Sequence, residues 1–518
     1  MRRAIAAVVV AALVLAGVGV AVLTLTGGDG EPSPAPEPTA SSEPPAPGAT
    51  RPPAKDLSDF YRQRVSWESC RGEFECTNVR VPLDYARPGG ETIELALLRA
   101  PAADPDQRLG SLVVNPGGPG APGTSYAAQS GLVFRDPLLD SFDIVGFDPR
   151  GTGTSSPVDC LTDARLDAYL AADPSPDQAA ERRSFRTDVL ALGDGCAEKS
   201  GELAAHVSTT EAARDMDVIR AVLGDGKLDY FGASYGTKLG ATYAELFPDR
   251  VGRLVLDGAV DLSLGYRQLA LGQAGGFEVA LRAYVEDCVE SSDNCFLGDS
   301  VEQGLTRISD FIDEVDGAPL PTSGERELAV GNAFYGIVAP LYVRDYWAVL
   351  SQALERGFAG DGSLLLQLSD IYTSRGPGGY TDNSAEAIYA INCLDDPASL
   401  PFDQVPAAVP EFERASPTFG SVFAWGLTGC RGFQERSTEE PLEVDGSGAD
   451  PIVVIGTTRD PATPYAWAES LADQLDSGVL VSRDGDGHTG YNAGNDCVDD
   501  AVHAYLLEGT VPDDGLSC

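Results

Sequence analysis

Lys227-Leu-Asp-Tyr-Phe231, running into Gly232-Ala233-Ser234-Tyr235-Gly236, is the stretch that decides the fold. The first five residues read as a short, mostly apolar strand. Tyr235 to Phe247 reads as a helix that Pro248 closes, because proline can neither donate the next backbone hydrogen bond nor fit the preceding turn. A serine at the apex of a strand–turn–helix unit is displayed as a nucleophile. Glycine on both flanks keeps Cβ atoms out of the crowded turn, and the hydroxyl stands over the sheet edge where a base can take its proton. The bare G-x-S-x-G pattern is weak: a chain with 58 glycines yields about half a match by chance. The flanking elements and the partner residues carry the argument.

Outward from that stretch, the strand candidates follow in order. Asn78 to Leu83 and Thr92 to Arg99 read as an opening hairpin. Ser111 to Asn115 and Phe142 to Phe147 are short apolar runs of the kind buried in a parallel sheet. After the serine come Gly252 to Asp257, Pro451 to Gly456 and Gly478 to Ser482. With the strand before Ser234 these make about eight, with helical stretches between the later ones, which is the α/β pattern. Ser208-Thr-Thr-Glu211 is a capping box opening a helix that leads into the serine's strand. Between Asp257 and Pro451 the strand pattern stops. Phe277 to Val289, Val301 to Val315, Glu327 to Val343 and Tyr346 to Arg356 read as amphipathic helices. Residues 262–446 are therefore expected to form a mostly helical cap inserted between core segments 58–261 and 447–518.

A serine nucleophile needs a base, and the chain has three histidines. His488 lies in Gly485-Asp-Gly-His-Thr-Gly490, a loop at the C-terminal end of the last strand, where ligands bind in open α/β sheets. His206 precedes the serine, against the chain order Ser, acid, His. His503 falls inside the expected terminal helix, Val498 to Leu507. Asp460 follows the penultimate strand and is the expected acid, orienting the imidazole and stabilising its cation. Asp257, after the strand that follows the serine, is its rival. The oxyanion hole is expected from the Tyr235 N–H and a donor in Asn115-Pro-Gly-Gly-Pro-Gly120, with Gly118 preferred to Gly117.

The net charge is −43 over 518 residues, which argues against nucleic-acid binding, since phosphate contacts need clustered Lys and Arg. Arg2 and Arg3 precede an uncharged run from Ala4 to Leu25, about 33 Å as a helix. Residues 1–26 read as a signal peptide or signal anchor with the chain exported beyond it. Residues 27–57, rich in Pro, Ala and Ser, read as a disordered tether. Ten cysteines without a C-x-x-C pair read as five disulfides in an oxidising compartment. Sequential pairing is expected because Cys70/Cys76 and Cys288/Cys295 are close and Cys518 can tie the tail near Cys497.

Taken together, Asn115-Pro-Gly-Gly-Pro-Gly120, Asp148-Pro-Arg-Gly-Thr-Gly-Thr154, Gly232-Ala-Ser-Tyr-Gly236, Asp460-Pro-Ala-Thr-Pro464 and Gly487-His488 resemble the proline iminopeptidase family of serine peptidases. The closer resemblance, over roughly residues 60–518, is to its exported actinobacterial branch of tripeptidyl aminopeptidases. Asn115 departs from the histidine that many relatives carry there, and Thr489 from a common glycine. The resemblance implies an α/β-hydrolase fold with an inserted cap, and release of short peptides from free N-termini without metal or organic cofactor. It implies a cap that reads the α-ammonium, for which buried carboxylates are the expected partners. Asp395 and Asp396, in a segment that looks like the family's, are the candidates; a solvated acidic turn is the plain alternative. The expected enzyme uses Ser234, His488 and Asp460. An esterase or lipase of the same fold is the runner-up, and a catalytically dead, surface-tethered binding protein is the reading from a different class.

Overall fold

The computed structural model describes residues 45–291, 295–437, 439 and 442–518. The expected signal or anchor at 1–26, and the tether as far as residue 44, lie outside the described residues. Among the described residues there are twelve strands: β1 Glu68–Cys70, β2 Phe74–Pro82, β3 Thr92–Ala100, β4 Gly110–Asn115, β5 Phe142–Phe147, β6 Leu228–Ala233, β7 Val251–Asp257, β8 Arg375–Gly376, β9 Gly379–Tyr380, β10 Ile452–Arg459, β11 Gly478–Asp486 and β12 Leu516–Ser517. Ten form one sheet in the order β1-β2-β3-β5-β4-β6-β7-β10-β11-β12, and β8 pairs only with β9. Pairing is antiparallel from β1 through β3 to β5, and parallel from β5 onward. This is the α/β-hydrolase sheet.

Both faces of the sheet are buried, so the strands alternate between two apolar cores rather than between core and water. Val113, Val145, Tyr230, Leu254 and Val454 point into one core with Met216 and Ile219 of the helix Thr209–Leu223. Leu112, Val114, Ile144, Phe231, Val255 and Val453 point into the other, with Val498 and Val502. The N-cap bond of the expected capping box is present: the Ser208 hydroxyl accepts the Glu211 N–H at 3.3 Å, and the helix ends on Gly224 at φ 87°.

Asp148 and Arg150 act as scaffold. Asp148 accepts the N–H of Thr124 and of Thr154. Arg150 is fully buried and makes a two-pronged contact with Asp215 at 2.7 and 2.8 Å. Its remaining N–H groups meet the carbonyls of Leu83, Pro82 and His206. One guanidinium thus ties the opening hairpin to the helix before the serine's strand.

Two boundaries differ from the sequence expectation. The Pro-rich segment, expected to be an extended tether to residue 57, is seated on the core from Pro45. The Ala46 N–H donates to Gly224 at 2.8 Å, Arg220 holds the Ala49 carbonyl, and Ala49 itself is buried. Backbone carbonyls, which composition does not reveal, do the anchoring. Helices Asp163–Ala171 and Ala179–Ser200, in the first core segment by sequence, pack on the inserted helices. A Cβ on Gly331 would lie 2.3 Å from the Leu170 carbonyl oxygen, and one on Gly193 would lie 2.0 Å from the Gly432 carbonyl carbon.

The insertion buries its own core, built on Phe277, Leu281, Phe311, Ile337, Trp347 and Leu350. The disulfides are Cys70–Cys76, Cys160–Cys196, Cys288–Cys295, Cys393–Cys430 and Cys497–Cys518, the sequential pattern. Five such bonds fit an extracytoplasmic compartment. Among the described residues no helix is long and apolar enough to cross a membrane.

Candidate active site

Ser234 ends β6 and precedes the helix Tyr235–Leu246, with φ 57° and ψ −125°. Such a conformation costs a side-chain-bearing residue about 1–3 kcal/mol and persists only where neighbours enforce it. The Ser234 N–H donates to the Asp257 carbonyl at 2.9 Å, and its own carbonyl accepts from the N–H and hydroxyl of Thr237. The flanking glycines are required by contact. A Cβ on Gly232 would lie 2.4 Å from the Gly236 carbonyl oxygen, and one on Gly236 would lie 2.8 Å from that of Asn115.

The Asn115–Gly120 loop leans on this turn. A Cβ on Gly117 would lie 2.8 Å from Ser234 Cβ and 2.9 Å from the Tyr235 nitrogen. Gly117, Gly118 and Gly120 all have φ near 100°, which only glycine adopts at low cost. The Gly117 N–H is already given to Asn115 Oδ1 at 2.9 Å. That commitment leaves Gly118 as the better placed donor of the pair.

His488 and Asp460 are brought together. The imidazole Nδ1–H donates to the Asp460 carboxylate, at 2.8 and 2.9 Å to its two oxygens. Asp460 also accepts from the N–H groups of Ala462, Thr463 and Thr489 and from the Thr463 hydroxyl. With Nδ1 committed, Nε2 carries the free lone pair. It is buried and has no hydrogen-bond partner among the described residues; Ser234 is not bonded to it. Catalytic bonds of this kind are often long without substrate and tighten when it binds. The ring lies against the end of β7, where a Cβ on Gly258 would lie 3.0 Å from His488 Cε1. Burial opposes charging the ring, but the Asp460 carboxylate outweighs it and holds the imidazole pKa above its ordinary value.

Asp257, the rival acid, does not touch the ring. Its carboxylate accepts the N–H groups of Gly490 and Tyr491 at 2.7 and 2.9 Å. Burial lifts its pKa to about 6, against the pull of those two N–H donors. Asp257 thus holds the serine turn by its backbone and the histidine loop by its side chain.

The two carboxylates expected to meet a substrate amine are already occupied. Asp395 pairs with Lys238 Nζ at 2.7 Å and accepts the N–H and hydroxyl of Thr209, whose hydroxyl also meets the Tyr235 phenol at 2.6 Å. Asp396 accepts the N–H groups of Tyr266 and Ala398. Asp395 is thus paired with a cation of the chain itself, whereas Asp396 meets two backbone N–H groups.

Sequence reasoning missed Tyr342. Its carbonyl accepts the His488 N–H at 2.8 Å, and its ring meets the imidazole edge-on at 5.4 Å. No local pattern marks such a long-range contact. Thr463 was findable, as a hydroxyl three residues after the acid. The other histidines are structural: His206 pairs with Glu211, and His503 with the Tyr491 phenol. Asp84, His206 and Glu211 lie close enough for a metal. The Arg150 guanidinium, 3.4 Å from Glu211, and Arg87 on Asp84 already supply the positive charge there.

A family model described as TAP-like protein matches residues 416–518, the part holding Asp460 and His488. Serine protease Hip1 of Mycobacterium tuberculosis is 37% identical over 88% of this chain and 91% of its own. The chain belongs to the tripeptidyl aminopeptidase-like branch of the serine hydrolases. Carboxylesterase B of M. tuberculosis is 35% identical over 92% of this chain and 94% of its own. Tripeptidyl aminopeptidase of Streptomyces lividans is 32% identical over 88% and 87%. The enzyme is therefore a serine hydrolase, and its relatives carry both peptidase and esterase names.

Proposed function

We propose that the enzyme is an exported serine aminopeptidase that releases short peptides, tripeptides in particular, from free N-termini. The observation that carries this reading is the His488–Asp460 pair, with an unpartnered Nε2, beside a serine held in a strained turn. Ser234 Oγ attacks the substrate carbonyl as its proton passes to His488 Nε2. The oxyanion is received by the N–H groups of Gly118 and Tyr235, where water is excluded and a fixed donor is worth about 3–4 kcal/mol. His488 then protonates the leaving amine. Water, activated by the same nitrogen, hydrolyses the acyl-enzyme.

Peptidase names among the relatives favour this over the esterase reading, which the relative named carboxylesterase B keeps in view. The test is hydrolysis of Ala-Pro-Ala p-nitroanilide, its N-acetyl twin, proline p-nitroanilide and p-nitrophenyl butyrate by wild type and Ser234→Ala. Tripeptide release lost on acetylation and in Ser234→Ala supports the proposal. Ester turnover without peptide turnover overturns it in favour of an esterase.

A further inference from the structure

We propose that a band of cap tyrosines, Tyr342, Tyr372, Tyr335, Tyr389 and Tyr169, forms the subsite that receives the cationic amino terminus of the substrate, through ring faces and phenol oxygens. The inference rests on the aminopeptidase reading. It adds a second kind of partner to the carboxylates expected there, of which Asp395 is already paired with Lys238.

The five rings come from four stretches of the chain, with Tyr335 and Tyr342 on consecutive helices, and make one continuous surface. Tyr342 meets His488 edge-on, and its hydroxyl lies 3.2 Å from that of Tyr372. Tyr372 stacks on Tyr335 at 5.5 Å. Tyr389 shares hydrogen bonds with Tyr335 and Tyr169, and stands edge-on to Tyr169 at 5.9 Å. Tyr389 belongs to the helix Ser384–Asp395, whose first turn presses on the oxyanion loop: a Cβ on Gly120 would lie 2.8 Å from Ala387 Cβ. The band therefore starts on the base and passes through the element that touches the oxyanion loop.

These tyrosines are not core residues. Each keeps part of its surface accessible, yet enough protein surrounds them that burial lifts the phenols of Tyr169, Tyr335, Tyr342 and Tyr372 above their ordinary value. The wall of an enclosed cleft has both properties. The local charge favours a cation. Arg375 and Arg326, the guanidiniums on this side, are taken up by Asp167 and Asp370. Asp382, half-buried at the foot of the Tyr389 helix, is met by Ser384 and Ser374 and by no cation among the described residues. An ammonium offers three donors and a full charge. Neutral phenols offer lone pairs, and their rings a negative face. A substrate carboxylate or an acetylated amine gains neither.

The experiment uses the whole enzyme and measures kcat/KM for Ala-Pro-Ala p-nitroanilide and its N-acetyl twin in wild type, Tyr335→Leu and Tyr372→Phe. The free-amine preference, the ratio of the two values, should fall about ten-fold in Tyr335→Leu and several-fold in Tyr372→Phe. Calorimetric binding of the free tripeptide to Ser234→Ala, with and without Tyr372→Phe, should weaken in parallel. If Tyr335→Leu does not fold, Tyr335→Phe combined with Tyr372→Phe keeps the packing and decides. Variants that retain the wild-type preference, or lose both substrates in equal proportion, overturn the subsite while leaving the aminopeptidase reading intact. A wild type that shows no preference for the free amine refutes that reading first, and the subsite with it.

Discussion

Asp257→Asn separates the role of this carboxylate from that of Asp460. The wild-type side chain satisfies two buried N–H groups, those of Gly490 and Tyr491. An asparagine keeps one acceptor and turns an NH2 group toward the other donor. Leaving a buried donor unpaired costs about 1–3 kcal/mol, and the segment that bears the cost begins two residues after His488. A displacement of about 1 Å at a catalytic group costs about 10²-fold in rate. The expected result is therefore a kcat lower by about 10²-fold, with KM within about three-fold, for whichever substrate the enzyme turns over best. Asp460→Asn, which removes the partner of Nδ1 itself, should cost nearer 10⁴-fold. The acid limb of the kcat/KM profile adds a second readout. The Asp257 charge helps to raise the His488 pKa. Its removal makes the ring easier to deprotonate, so the limb should move to lower pH. Steady-state kinetics from pH 4 to 9, with urea unfolding to confirm the fold, read all of these. An Asp257→Asn enzyme within three-fold of wild-type kcat would refute the loop-anchoring argument. A loss equal to that of Asp460→Asn would give Asp257 the acid's role.

Ser234→Gly should be more stable than Ser234→Ala by about 1 kcal/mol in urea unfolding, although both are inactive, because only glycine adopts φ 57° and ψ −125° without strain. Gly117→Ala should lower kcat by at least about 10²-fold, since the added methyl would occupy space 2.8 Å from Ser234 Cβ. A near-normal rate would mean that the loop can withdraw. Arg150→Met, far from the chemistry, should destabilise by about 3–5 kcal/mol by stranding the buried Asp215 carboxylate. Adding Asp215→Leu should recover most of that loss, and urea midpoints measure both.

The eight strands legible in the sequence are those whose apolar runs fill both cores. Two were invisible because they are short and held from outside: β1 is three residues closed back on β2 by Cys70–Cys76, and β12 is two residues tied by Cys497–Cys518. β10 and β11 run further than their apolar parts suggested, because Thr457 to Arg459 and Arg483 to Asp486 stay paired past a register shift, where the Arg459–Asp486 ion pair at 2.6 Å also joins them. The first cap helix begins at Tyr266, not Phe277. The added stretch contains Gly272 and Gly276. In the fold they are contact points, against the Trp467 ring and the Pro461 carbonyl. Asp460 and His488 were legible because fold order and flanking glycines constrain them. The fate of Asp395 was not, because its partners Thr209 and Lys238 come from distant parts of the chain and no local pattern joins them. The tyrosine band was missed for the same reason: it exists only where four distant stretches of the chain meet.

The hydrogen bond from the His488 N–H to the Tyr342 carbonyl means that the insertion is not an accessory that could be exchanged freely. A chimera carrying a foreign cap on this sheet would keep its serine and its acid, yet the loop bearing its histidine would lose a backbone tether. Grafting designs would have to carry over the Ala339–Tyr342 turn along with the core, as a component of the chemistry and not of the selectivity.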